Sequence, residues 1–142
     1  MSITLDARSE AKLQGIHPDL VRVVHKAAAM SDMDFTVLEG LRTLARQKEL
    51  FAHHATRTMK SRHLTGHAVD LGAMIAGGIR WDWPLYLKLA AVVKAAAAAE
   101  NVPIRWGGTW KQLADTPEIT AKVLSKTFPD GPHFELPSAL YP

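Results

Sequence analysis

Apolar residues recur along this chain with two alternating periods. Pro18 suits the first turn of a helix beginning near His17, and Leu20, Val21, Val23, Val24 and Ala27 to Met30 give it a broad apolar face that runs out around Ser31. The pattern predicts a helix packed on a sheet. Phe35 to Leu38 is a β-favouring run after an Asp-rich turn, closed by Gly40 just past Glu39, which predicts a strand. Thr43 then suits the cap of a helix whose Leu44, Gln47, Leu50 and Phe51 form one broad side, with Arg46 and Lys48 toward solvent. Arg42 falls at the strand-to-helix junction, and His53 and His54 fall near the helix end, where a polar or cationic group is favourable. The basic, weakly periodic stretch Ala55 to Ser61 reads as a loop.

From His67 to Leu71 the period becomes two, with Val69 and Leu71 alternating after a flexible Gly66, so Asp70 belongs on or beside a strand. Gly77 and Gly78 make a turn, Asp82 suits a helix cap and Pro84 a first turn, and this helix extends to roughly Glu100. Pro103 opens a short strand over Ile104 to Trp106, and Gly107 and Gly108 turn the chain before Trp110. Pro117 is expected to start a further helix with Ile119, Val123 and Leu124 buried, broken by Pro129 and Gly131. His133 to Leu136 reads as a last strand. With no internal repeat or linker, residues 1–142 are expected to form one α+β domain.

Composition narrows the classes. A chain of 142 residues, 47% hydrophobic and 22% charged, has room for one substantial core and is neither fibrous nor disordered. Its 17 Lys plus Arg against 14 Asp plus Glu are spread along the chain, a mild bias toward anionic partners without the basic stripe of a nucleic-acid binder. The absence of Cys excludes disulfides, thiolate metal sites and a cysteine nucleophile. MSITLDARSEAKL lacks the basic start and apolar run of a secretory signal. Leu85 to Ala99 is interrupted by Lys88 and Lys94 and reads as a soluble helix, without stable membrane insertion. Cytoplasmic synthesis is expected, so action beyond the membrane would need another component to release the protein.

The chemistry concentrates in SRHLTGHAVDL (61–71) and DGPHFEL (130–136), far apart in the chain but able to converge at strand ends. His63, His67, Asp70, Asp130, His133 and Glu135 are all candidates as ligands or proton-transfer groups, more than one site needs. His63, Asp70 and His133 would give zinc two imidazoles and a carboxylate, leaving a position for water. A His63/His67 pair one helical turn apart is the alternative, opposed by Gly66 and the β-like residues that follow. Each has a plainer reading. His63 can bridge a loop, His133 can bond within a strand, and Asp130-Gly131 is a common turn pair. Asp70 can cap a turn, yet a carboxylate among Val69, Leu71 and Ala73 needs exposure or a strong partner. Arg42 is either a surface cation, a partner for Glu39, or a cleft residue meeting a substrate carboxylate or a developing negative charge. His25, His53 and His54 read as surface residues. Of the paired tryptophans, Trp81 with Trp83 and Trp106 with Trp110, at least one of each reads as packing, and Trp106 and Trp110 can also line a cleft.

Together EGLRTLARQKELF, SRHLTGHAVDL, IRWGGTW and DGPHFEL resemble the M15 zinc peptidases, in particular the small phage endolysins of the L-alanyl-D-glutamate peptidase branch, over about Val37 to Leu136. The resemblance implies a small antiparallel sheet flanked by helices, of the Hedgehog/DD-peptidase kind. It implies His63, Asp70 and His133 as ligands of Zn²⁺, Asp130 as catalytic base and Arg42 as the residue that binds substrate or stabilises the tetrahedral intermediate. His67 becomes a neighbour of the site, and Glu135 a supporting or structural residue. Relatives that remove terminal D-alanine often carry Glu where this chain has Asp130, so Asp fits the endopeptidase branch better. The expected partner is bacterial peptidoglycan, reached through a holin or another membrane lesion during host lysis, by a monomer without a separate wall-binding domain. A D-alanyl-D-alanine carboxypeptidase or dipeptidase of the same fold, and a noncatalytic peptidoglycan-binding protein, are the alternatives.

Overall fold

A computed structural model of the protein describes residues 2–54 and 61–142. In chain order the elements are α1 (Ala7–Lys12), α2 (Pro18–Met30), β1 (Phe35–Glu39), α3 (Leu44–Ala52), β2 (Ala68–Ile75), β3 (Gly78–Arg80), α4 (Trp83–Glu100), β4 (Arg105–Trp106), β5 (Lys111–Gln112) and β6 (His133–Glu135). The strands form one antiparallel sheet in the order β1-β2-β6-β4-β5, with β3 paired to the far end of β2. The expected α+β architecture is therefore present. Residues 55–60 of the loop expected after α3 lie outside the described residues.

Helices α2 and α4 pack together over one side of this sheet. Leu20, Val23, Val24 and Ala27 of α2 and Leu89, Ala90, Val93 and Ala96 of α4 join Phe35, Val69, Leu71, Trp106 and Phe134 in the core. Each large side chain taken out of water there contributes about 1.5–3 kcal/mol. Because strand residues alternate between faces, sending Val69, Leu71 and Phe134 into this core frees Asp70 and His133 for the opposite face. On β1 a bulge between Val37 and Glu39 breaks the alternation, so that Glu39 comes opposite Asp70 while Val37 stays in the core. Register thus lines up Glu39, Asp70 and His133 across three strands, and the amide of Gly107, just past β4, continues the row by donating to the His133 carbonyl at 2.8 Å.

Several local expectations fail for tertiary reasons. No α-helix follows Pro117; the segment makes a single 3-10 turn, Ala121–Val123, although Ile119 and Leu124 still pack against the core. The Lys94 ammonium donates to the carbonyls of Thr116 at 2.6 Å and Pro117 at 3.2 Å, taking the acceptors that the first helical turn would use. In α3 the broad apolar side is not buried: Leu44 and Phe51 are 54% and 45% exposed, and Gln47 is the residue turned fully inward. Asp82 precedes α4 as expected but gives no side-chain cap, its carboxylate being engaged by Arg80 at 2.8 Å. The short α1 was not legible from periodicity; Asp6 caps it through the Ser9 amide, and buried Ser9 accepts the Val37 amide at 2.9 Å, docking α1 on β1. No described helix is long and apolar enough to cross a membrane.

Candidate metal centre

The β2/β6 register sets Asp70 directly opposite His133. His63 arrives from outside the sheet, on a 3-10 turn (Arg62–Thr65) that Ser61 caps through the His63 amide at 3.2 Å. Gly66 ends that turn in the left-handed region at φ 77°, where a Cβ would stand 2.3 Å from the Gly15 carbonyl oxygen, so a side chain is excluded both by conformation and by space. The result is a buried pair of imidazoles flanking one carboxylate. His63 Nε2 is 3.2 Å and His133 Nδ1 3.3 Å from Asp70 Oδ1.

One ligand atom from each of the three lies within 4.8 Å of the others. Ligand atoms about 2.1 Å from a tetrahedral ion stand about 3.4 Å apart, so the spacing fits zinc and the donor set is one that zinc favours. The outer nitrogens are committed elsewhere: His63 Nδ1 donates to the Gly40 carbonyl at 2.9 Å, which leaves Nε2 facing Asp70. His133 Nε2 meets Glu135 at 2.7 Å. His67, the competing ligand, is not in the cluster; its Nδ1 bonds the Thr65 hydroxyl at 2.7 Å and its ring lies beside His17.

Charge in the metal-free site follows from burial and pairing. Burial works against an ionised Asp70, but hydrogen bonds from His133 and His63 and their positive charge hold its carboxyl well below the usual carboxylate range. Burial likewise disfavours the charged form of His133, yet its bonds to Asp70 and Glu135 push it up to about 9. A metal must displace that proton. Zinc binding at pH 7 is therefore expected to release about one proton and to tighten as pH rises toward 9. Calorimetry in buffers of different ionisation enthalpy measures this, and a binding heat independent of buffer would contradict it.

Asp130 lies on the turn into β6, its amide donating to the Gly107 carbonyl at 2.9 Å and its carbonyl accepting from the His133 amide at 3.3 Å. Burial raises its carboxyl above the usual range, as does the charge of Asp70, while His133, His63 and Arg42 pull the other way. The fully buried Trp106 donates its indole N–H to the Gly131 carbonyl at 2.7 Å and pins the same turn. Gly107 runs beneath it, where a Cβ would lie 2.3 Å from the Asp130 carbonyl oxygen and 2.9 Å from His133 Cβ. Gly107→Ala must push both residues aside, and a shift of about 1 Å costs on the order of 100-fold in turnover. A purified variant of near wild-type rate would show that the turn tolerates displacement.

Arg42 does sit where β1 gives way to α3, its amide bonded to the His63 carbonyl at 2.9 Å. Its guanidinium grips Glu39 with two bonds, at 2.5 and 2.7 Å, and Nη1 donates to Gln47 at 2.7 Å. Arg42 is thus the partner of Glu39, one of the plainer readings, and its charge also acts on the carboxyl of Asp130. Sequence reading placed Gln47 on an apolar face and so missed its role in holding Arg42; a single amide on an otherwise exposed helix carries no local signal. The Trp110 ring lies 5.4 Å from that of His133.

The phage L-alanyl-D-glutamate peptidase family model matches residues 1–137. This chain belongs to that family. The L-alanyl-D-glutamate peptidase of Escherichia phage T5 is 29% identical over 140 residues, covering 96% of this chain and 99% of that one. The L-alanyl-D-glutamate peptidase of Listeria phage A118 is 31% identical over 102 residues, 66% of this chain but 35% of the longer relative. Among solved structures, the Serratia marcescens L-Ala D-Glu endopeptidase ChiX superposes with a TM-score of 0.82 at 44% identity, over 98% of this chain and 94% of that one. The peptidase is a zinc metallopeptidase of the expected α+β fold, and His63, Asp70 and His133 are its metal-competent cluster.

Proposed function

We propose that this peptidase is a phage endolysin that hydrolyses the L-alanyl-D-glutamate bond in the peptidoglycan stem, with His63, Asp70 and His133 holding zinc. The observation that carries the reading is the convergence of these three into one cluster, with Asp130 and Arg42 in electrostatic reach, in a chain of this family. When bound, zinc supplies a Lewis acid that polarises the scissile carbonyl and lowers the proton affinity of water. Asp130 is the base. Its carboxyl is raised by burial, which strengthens it as a proton acceptor, and it can return the proton to the departing amine. Arg42 supplies the compensating charge. Glu39 and Gln47 hold its guanidinium in place, where its charge can meet a substrate carboxylate or oxyanion.

In this reading the enzyme is made in the host cytoplasm and reaches the wall as a monomer after a holin or other lesion opens the membrane. Mass spectrometry of products from defined muropeptides tests the bond. A glycan bearing L-alanine together with a peptide beginning at D-glutamate is expected; release of terminal D-alanine or D-alanyl-D-alanine alone would replace the endopeptidase with a carboxypeptidase or dipeptidase.

A further inference from the structure

The two nitrogens of His133 face different partners. Nδ1 points to Asp70 and the metal cluster, and Nε2 stands 2.7 Å from Glu135 Oε1. An ionised carboxylate only accepts, so Nε2 carries a proton and Nδ1 is the nitrogen left to a metal. Glu135 lies two residues along β6, hence on the same face of the strand as His133. Its second oxygen meets Nη1 of Arg105, its register partner on β4, at 3.3 Å. Arg105 Nε then donates to the Trp110 carbonyl at 3.0 Å, with the guanidinium 5.0 Å from the indole centroid. The Trp110 ring returns to His133, closing a circuit of four residues.

Two features argue that this circuit is more than an ion pair of convenience. The Glu135 side chain is 7% exposed and that of Arg105 39%, so the pair buries a carboxylate beside a cation that water would solvate equally well. Trp110 is held at φ 55°, a left-handed conformation costly for an aromatic residue, by its amide bond to the Trp106 carbonyl at 2.7 Å and its indole bond to the Phe128 carbonyl at 2.9 Å.

We infer that Glu135, braced by Arg105 and Trp110, is a positioning residue that selects Nδ1 of His133 as the ligand nitrogen and fixes the plane of its ring. The inference rests on the zinc reading of the cluster. Its test combines zinc affinity, measured by chelator competition, with proton–nitrogen NMR correlation of the histidine rings in the zinc-loaded protein. In the wild type, His133 should be bound through Nδ1 and show a slowly exchanging Nε2–H proton. Glu135→Leu should lose that protection and weaken zinc by about 10- to 100-fold, whereas Glu135→Gln, which keeps an acceptor, should retain the Nδ1 mode with a smaller loss. Arg105→Met should keep the bond but speed exchange of the proton.

Coordination through Nε2 in the wild type, or a Glu135→Leu variant binding zinc as tightly as wild type, would overturn the assignment; unchanged exchange in Arg105→Met would remove the brace. Should Glu135→Leu fail to fold, Glu135→Gln decides: zinc affinity and proton exchange both equal to wild type overturn the role. A wild-type protein that binds no zinc refutes the metal reading itself, a result distinct from zinc bound without any contribution from Glu135.

Discussion

Asp130→Asn is expected to keep its zinc and its fold while peptide hydrolysis falls by about 100- to 10,000-fold, the range associated with a positioned general base. Asparagine is nearly isosteric, and the anchors of this turn are main-chain bonds: the Asp130 amide to Gly107, the Asp130 carbonyl to the His133 amide, and the Trp106 indole to the Gly131 carbonyl. None involves the carboxylate. What disappears is a buried acid whose proton affinity is raised by desolvation and by the charge of Asp70. Asp130 is not one of the three residues of the metal-competent cluster, so zinc should be retained. Metal analysis, thermal melting and turnover on a muropeptide, measured on one preparation, separate the outcomes. Near-normal hydrolysis would demand another base, and loss of zinc would move Asp130 into the ligand set.

Asp70→Asn is expected to abolish both zinc retention and hydrolysis, and to destabilise the metal-free protein as well. Both imidazoles converge on Asp70 Oδ1, at 3.2 and 3.3 Å, so this one oxygen organises the cluster before any metal arrives. Hydrogen bonds to charged groups contribute about 1.5–3 kcal/mol each, and part of that is lost when the amide replaces the carboxylate. His133, deprived of the first of the partners that hold its proton, should titrate below about 9. Urea unfolding of the metal-free variant and zinc stoichiometry by elemental analysis measure the two effects. A variant that retains one zinc per chain would show that other residues bind it.

The metal cluster was legible because its residues interrupt a core pattern. Asp70 stands between Val69 and Leu71, and His133 just before Phe134, so each polar residue declares the face opposite the core. Glycine was informative at Gly66, and the Asp130-Gly131 pair announced the turn that leads into β6. Less could be read where a partner comes from a distant element. Pro117 to Leu124 has the spacing of a helix, but Lys94 on α4 takes its first carbonyl acceptors. Leu44 and Phe51 look like a buried face, yet α3 turns Gln47 inward to hold Arg42.

By itself the sequence determined the alternation that separates core from site, the helices α2 and α4 that cover one side of the sheet, and the residue types able to hold a metal. These depend on period and composition, which are local properties of the chain. Only the tertiary structure decided which candidates meet. The antiparallel register of β2 with β6 brings Asp70 to His133 across a gap of more than sixty residues and leaves His67 facing His17 instead. The β1 bulge moves Glu39, and with it Arg42, to the site's row. Register and bulges arise from pairing between distant segments, where a shift of one residue exchanges the two faces of a strand, and no local pattern encodes that choice.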